Sequence, residues 1–291
     1  SRGIPIDGIG HETHVHVDFP TVQAVADAIR TLHKSFPRLH QQVTEMDVSV
    51  YSASDNTSNF GANGGTVPPA IIAQQGWLYY HYFQAFRSLR GILDGVTIWG
   101  MADDNTWLDS FPINRLDLPL PFDTNLQAKP AYWGIIDRPR ELPGFGLNFH
   151  ITAKTGPKNA RVWTITADNP SSGTAYTVQI NSFTIQQLRD SFDNRGRNKH
   201  DQPCSPVVTS PSSFPLVIGD IAPGGSASTT VKLDFSTCRS DAPFGVVIPW
   251  SQAIGADTGQ FARVVSFDGF DRDQDRDHDR NRYDDRDGGR H

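Results

Sequence analysis

Cysteine is nearly absent from this chain: Cys204 and Cys238 are the two in 291 residues, both in the second half. A disulfide between them would suit an extracellular protein, and two buried thiols fit the count as well. Glutamate is scarce too, at positions 12, 45 and 141 alone. No apolar run is long enough to cross a bilayer, which gives no reason to expect a membrane partner. No charged-then-apolar leader opens the chain. It starts SRGIPIDGIG, without an initiator Met, and reads as a fragment or a processed product. The missing leader therefore carries no information about export. A large excess of one charge is also lacking: the net charge is −6, which gives no sign of a nucleic-acid partner.

The first half alternates between two periodicities. Residues 4–17, IPIDGIGHETHVHV, read as a strand. Val22, Val25, Ala26, Ile29 and Leu32 then recur at helical spacing to about Phe36, with Asp18 or Thr21 as the cap and Pro37 as the stop. A strand over Gln41–Tyr51 follows, then a polar loop, then a long helix over Pro69–Leu89. A strand at Val96–Trp99, a loop carrying Trp107 and a short helix at about 129–136 complete the series. Strand–helix alternation of this kind predicts a parallel sheet with right-handed crossovers.

The strand QQVTEMDVSVY is the chemical centre. Val43, Val48 and Val50 suit a strand, and Glu45 and Asp47, two apart, share one face. Two carboxylates inside an apolar run are costly unless they are paired or used. An exposed polar edge would be the ordinary alternative.

With GIGHETH upstream and VTIWGMADDNTWL downstream, this strand resembles the C-terminal part of the family 10 glycoside hydrolases, chiefly endo-β-1,4-xylanases. The likeness spans roughly residues 3–137. It implies the last three units of a (β/α)8 barrel, which needs about 250 residues in full. It implies Glu45 as the nucleophile of retaining hydrolysis of xylan, with His14 and Asp47 supporting it. Trp99 and Trp107 resemble the tryptophans that close over the sugar, and Glu12 stands where the family carries a Gln. Glu12 would then be a substrate-binding residue and a third acid near Glu45, raising the nucleophile's pKa or altering sugar binding, or would simply make the hydrogen bond the Gln makes. The family's acid/base Glu lies in an Asn-Glu motif, and no Asn-Glu dipeptide occurs here. The chain by itself is thus not expected to turn over substrate. No metal or organic cofactor is implied, and a secreted monomer is expected.

After Pro139 the texture changes. Short β-rich runs separated by Asn-Pro, Ser-Gly and Pro-Gly-Gly predict an Ig-like β-sandwich over 145–267, following a barrel segment over 1–140. Residues 189–206 read as a long loop. Residues 268–291, rich in alternating Asp and Arg, offer no apolar face and predict a disordered tail. An EF-hand would need a closing Glu, which the tail lacks.

Two other functions compete. HETHVH would put Glu12, His14 and His16 on one face, and His-x-His is a zinc pattern in amidohydrolase-type hydrolases. The sandwich could instead bind carbohydrate through Tyr176, Phe183, Phe192, Phe214 and Trp250, although most of these sit in apolar runs. Trp77, Trp133 and Trp163 read as packing residues.

Overall fold

A computed structural model describes residue 3 and residues 5–188, 204–239 and 242–267. The expected tail, and most of the expected loop at 189–206, lie outside the described residues.

The first sheet is parallel throughout. Strands β1 (Gly8–His11) and β2 (His14–His16) both pair with the long strand β3 (His40–Ser49), and β4 (Gly95–Ile98) also pairs with β3. The single strand expected over 4–17 is therefore two. The break falls at Thr13, whose φ of 57° is left-handed and ends regular pairing there. The strand expected to reach Tyr51 stops at Ser49.

Helices α1 (Val22–Ser35) and α2 (Pro69–Ser88) join these strands, and α3 (Pro130–Ile135) follows β4. Thr21 caps α1 by accepting from the Ala24 N–H. Asp18, the other candidate cap, instead accepts from Ser52 and the Ala53 N–H. The apolar stripe of α1 meets the sheet through Ala26 and Ile29. Tyr79, Tyr82, Phe86 and Leu89 do the same from α2 and its C-terminus, against Val15, Val43, Met46 and Val48. Helix α2 is also tied to the strand ends by its amides. Gln75 donates to the Val48 and Leu118 carbonyls at 2.7 Å each, and buried Gln74 donates to Val17 O. Helices α2 and α3 approach closely because Gly76 and Gly134 have no side chains. A Cβ on Gly76 would lie 2.4 Å from Pro130 Cβ.

The second region is wholly antiparallel. One sheet runs β5 (Asn148–Thr155), β6 (Arg161–Asp168), β11 (Ser226–Asp234), β9 (Val207–Ser210). The other runs β10 (Leu216–Ile221), β7 (Ala175–Ile180), β12 (Pro243–Gln252), β13 (Asp257–Ser266), with β8 (Thr184–Gln187) also on β12. Alternate residues of both sheets share one core: Phe149, Trp163, Ile165, Val231 and Leu233 face Val178, Ile180, Phe244, Val246 and Ile248. Cys204 and Cys238 form a disulfide, so the free-thiol alternative is excluded. Of the aromatics weighed for sugar binding, Phe183 is buried and Trp250 stacks on Phe149, while Phe192 lies outside the described residues. Among the described residues these do not make an exposed aromatic row.

The two regions touch. Trp77 of α2 is buried, donates its indole N–H to Pro143 O at 2.9 Å, and packs with Leu142 and Ala253. Gln252 donates to Gly144 O from the far side of the junction. Trp163 lies fully inside the antiparallel core, as its apolar run implied.

Candidate active site

Four of the residues singled out in the sequence, His14, Glu45, Asp47 and Trp107, meet at β3. Backbone pairing explains how. Val43 pairs with Val96 and Met46 with Ile98, so Thr44 and Glu45 together oppose the single residue Thr97. This is a β-bulge. It shifts the alternation: Gln41 and Val43 are buried before it, Met46 and Val48 after it. Thr44 and Glu45 are thereby both half-buried on the open side, and Asp47 and Ser49 follow Glu45 onto it.

His14 lies opposite Asp47 in the pairing and bridges the two acids. Its Nδ1 is 3.0 Å from Asp47 Oδ2 and its Nε2 is 3.3 Å from Glu45 Oε2. Trp107, on the loop after β4, donates its indole N–H to the same Asp47 oxygen at 2.8 Å, with its ring 4.8 Å from the imidazole. Asp47 is completely buried. Burial pushes its carboxyl above the usual range, opposed by the hydrogen bonds from Trp107 and His14. Glu45 is more open, with 30% of its side chain exposed. The arrangement leaves Glu45 accessible to a reactant while Asp47 fixes the orientation of the ring between them.

The loop carrying Trp107 is closed at its base by a buried ion pair. Lys129 Nζ is 2.7 Å from Asp103 Oδ2 and donates also to Leu118 O, while Asp103 Oδ1 accepts from the Leu120 N–H. Burial pushes Asp103 up to about 6, with the Lys129 charge pulling the other way. Farther along, Arg115 stacks 3.6 Å over the Tyr51 ring and donates to Asp55 O, linking this loop to the one after β3. Asp117 accepts from Ser49 Oγ and the Val50 N–H. A cavity of about 230 Å³ lies beside Trp107 and Asp47, walled by Asn56, Phe111 and Arg115.

Trp99 follows β4 directly, donates its backbone N–H to Met46 O, and is 46% exposed. Glu12 is not hydrogen-bonded to His14, Glu45 or Asp47. It lies in the break between β1 and β2, is exposed, and makes no hydrogen bond or ion pair among the described residues. The hydrogen bond expected where the family carries a Gln is therefore not made within the described residues. His14 and His16 share a face of β2, with Val15 buried between them, but His16 Nδ1 is directed at Tyr51 O at 3.2 Å, whereas both nitrogens of His14 face carboxylates. Among the described residues, no three His, Cys, Asp or Glu side chains converge as a metal site requires.

Sequence reasoning missed Arg115, Asp117 and the Asp103–Lys129 pair. Asp103 and Lys129 are 26 residues apart and join through the loop's own fold.

Residues 1–138 match the model of glycosyl hydrolase family 10. The matched segment holds every residue of the site just described. Similar proteins include endo-1,4-beta-xylanase C of Paenibacillus barcinonensis, 39% identical over 146 residues that make up 49% of this chain and 13% of that protein. A thermostable celloxylanase of Thermoclostridium stercorarium is 35% identical over 48% of this chain and 34% of its own length. A beta-1,4-xylanase of Dictyoglomus thermophilum is 40% identical over 46% of this chain and 37% of its own length. Among solved structures, a family 10 glycoside hydrolase from Paenibacillus barcinonensis is 39% identical over 48% of this chain and 38% of its own, with a TM-score of 0.43. The chain thus spans well under half the length of these relatives.

Proposed function

We propose that residues 1–140 are the last three strand–helix units of a family 10 endo-1,4-beta-xylanase barrel, and that the complete polypeptide hydrolyses internal β-1,4 bonds of xylan with retention. The observation that carries this is the Glu45–His14–Asp47 chain, with one imidazole holding an open carboxylate and a buried one at 3.3 and 3.0 Å. Glu45 attacks the anomeric carbon. His14 and Asp47 fix its orientation and favour its charged form. Trp99 and Trp107 offer flat apolar faces to the C–H face of the sugar. A retaining pair needs a second carboxyl about 5–5.5 Å from the first. The family's acid/base Glu lies in an Asn-Glu motif, and no Asn-Glu dipeptide occurs here, so in this reading that residue belongs to a part of the complete polypeptide outside this chain.

In this reading the antiparallel region is an Ig-like module that braces the barrel rather than a sugar binder, because its aromatics are spent on its own core. Export of the whole protein accords with its disulfide. The test is product stereochemistry: NMR of xylo-oligosaccharides released by the complete polypeptide should show the β-anomer first. Initial release of the α-anomer would rule out Glu45 as a nucleophile.

A further inference from the structure

The bulge in β3 poses a steric question that its neighbours answer. Gly10 pairs with Gln42, one residue before the buried Val43, so a side chain at 10 would point to the open face, toward Thr44. There is no room for one. A Cβ on Gly10 would lie 2.9 Å from Thr44 Cγ2 and 3.2 Å from Thr44 Oγ1. Carbon atoms in contact prefer about 3.5–4.0 Å. Thr44 therefore rests on the bare backbone of Gly10, and its methyl fills the space a side chain would take.

Thr44 is joined directly to Glu45, and both occupy the bulge. Between the paired blocks His11↔Val43 and His14↔Asp47, β3 carries Thr44, Glu45 and Met46 where the opposing chain has only Glu12 and Thr13. The extra residue has no ladder partner to fix it. Besides the hydrogen bond to His14, the aim of Glu45 then depends on packing, and on this side of the bulge Thr44 packs on Gly10.

We infer that Gly10 and Thr44 are positioning residues for Glu45: their close contact sets the bulge so that the Glu45 carboxylate reaches His14 Nε2. The inference rests on the reading of Glu45 as the reacting carboxylate, but its geometry can be tested without catalysis. Gly10→Ala pushes Thr44 outward, turns the bulge and withdraws Glu45 from His14. Thr44→Ser removes Cγ2, the nearer of the two clashing atoms, so the pair Gly10→Ala with Thr44→Ser restores the contact.

The readout is the ring ¹⁵N resonance of His14 in the full 291-residue chain. Its response to Glu45→Gln is measured in three backgrounds: parent, Gly10→Ala, and Gly10→Ala with Thr44→Ser. This is a double-mutant cycle read by spectroscopy. We expect the response to shrink at least about threefold with Gly10→Ala and to return in the double variant, as coupling between groups in contact requires. The response to Asp47→Asn should persist throughout, because that hydrogen bond lies beyond the bulge. An undiminished Glu45 response in a folded Gly10→Ala variant overturns the inference. If Gly10→Ala alone does not fold, the double variant decides: it must recover both the fold and the Glu45 response, and failure to do so also overturns it. Neither result bears on whether Glu45 attacks xylan, which is read from cleavage by the complete polypeptide.

Discussion

The two regions solve burial differently. The antiparallel region closes on itself: two sheets face each other across one core, and Trp163 at its centre has no exposed surface. The parallel region covers only one face. Its helices pack on the side of Val43, Met46 and Val48, while the side of Glu45, His14 and Trp99 is left open. Closing a face yields stability, and leaving one open provides room for a ligand. Polar residues on the open face are therefore read as a site, whereas aromatics in the closed region are read as core.

The largest effect expected from this contrast is between a tryptophan of the closed core and one on the open face. Trp163→Ala should cost about 3–5 kcal/mol, as large-to-small core changes do. Trp99→Ala, on the open face, should stay within about 0.5 kcal/mol because it removes few contacts. Urea denaturation of both variants gives the comparison. Equal losses would show that the parallel region's open face is a covered one.

A smaller effect tests whether the regions act together. Trp77 packs on Leu142 and Ala253 and donates to Pro143 O. Trp77→Ala should uncouple them and divide one calorimetric transition into two. The parallel part, which loses its brace, should melt first. A single transition retained in the variant would mean that the junction does not couple the regions.

Smaller still is the pH dependence of the buried pair. Asp103 is raised to about 6 by burial, from the ordinary value of 3.8. The folded state then keeps its proton where the unfolded chain has released it. Stability contributed by this group is complete below about pH 3.8 and is lost as pH rises through about 6. The stability of the parent relative to Asp103→Asn should fall between pH 4.5 and pH 7 in urea melts. A difference that stays constant, or grows, contradicts the assignment.

Much of this architecture was legible in the sequence for identifiable reasons. The helical spacing of Val22 to Leu32 and the β-branched run after Gln41 are local signals, and both elements form within one or two residues of their expected bounds. The alliance of His14, Glu45 and Asp47 was legible only through the family resemblance, since these residues lie 31 and 33 positions apart. The strand break between β1 and β2 was not legible, because alternation was extended through Thr13, where a left-handed residue interrupts it. The bulge was hidden because Val43, Val48 and Val50 look like one strand, although 43 and 48 cannot share a face without an inserted residue. Partners chosen by loop closure, such as Lys129 for Asp103 and Arg115 for Tyr51, leave no periodic trace.

The central claim is that Glu45 is the group that reacts with sugar. It is tested most directly by replacing it with Gln in the complete polypeptide and measuring reducing ends released from xylan. A nucleophile removed from a retaining pair should lower kcat by about a thousandfold or more, as loss of a catalytic group commonly does, while xylo-oligosaccharide binding persists. Cleavage at the parent rate would contradict the account.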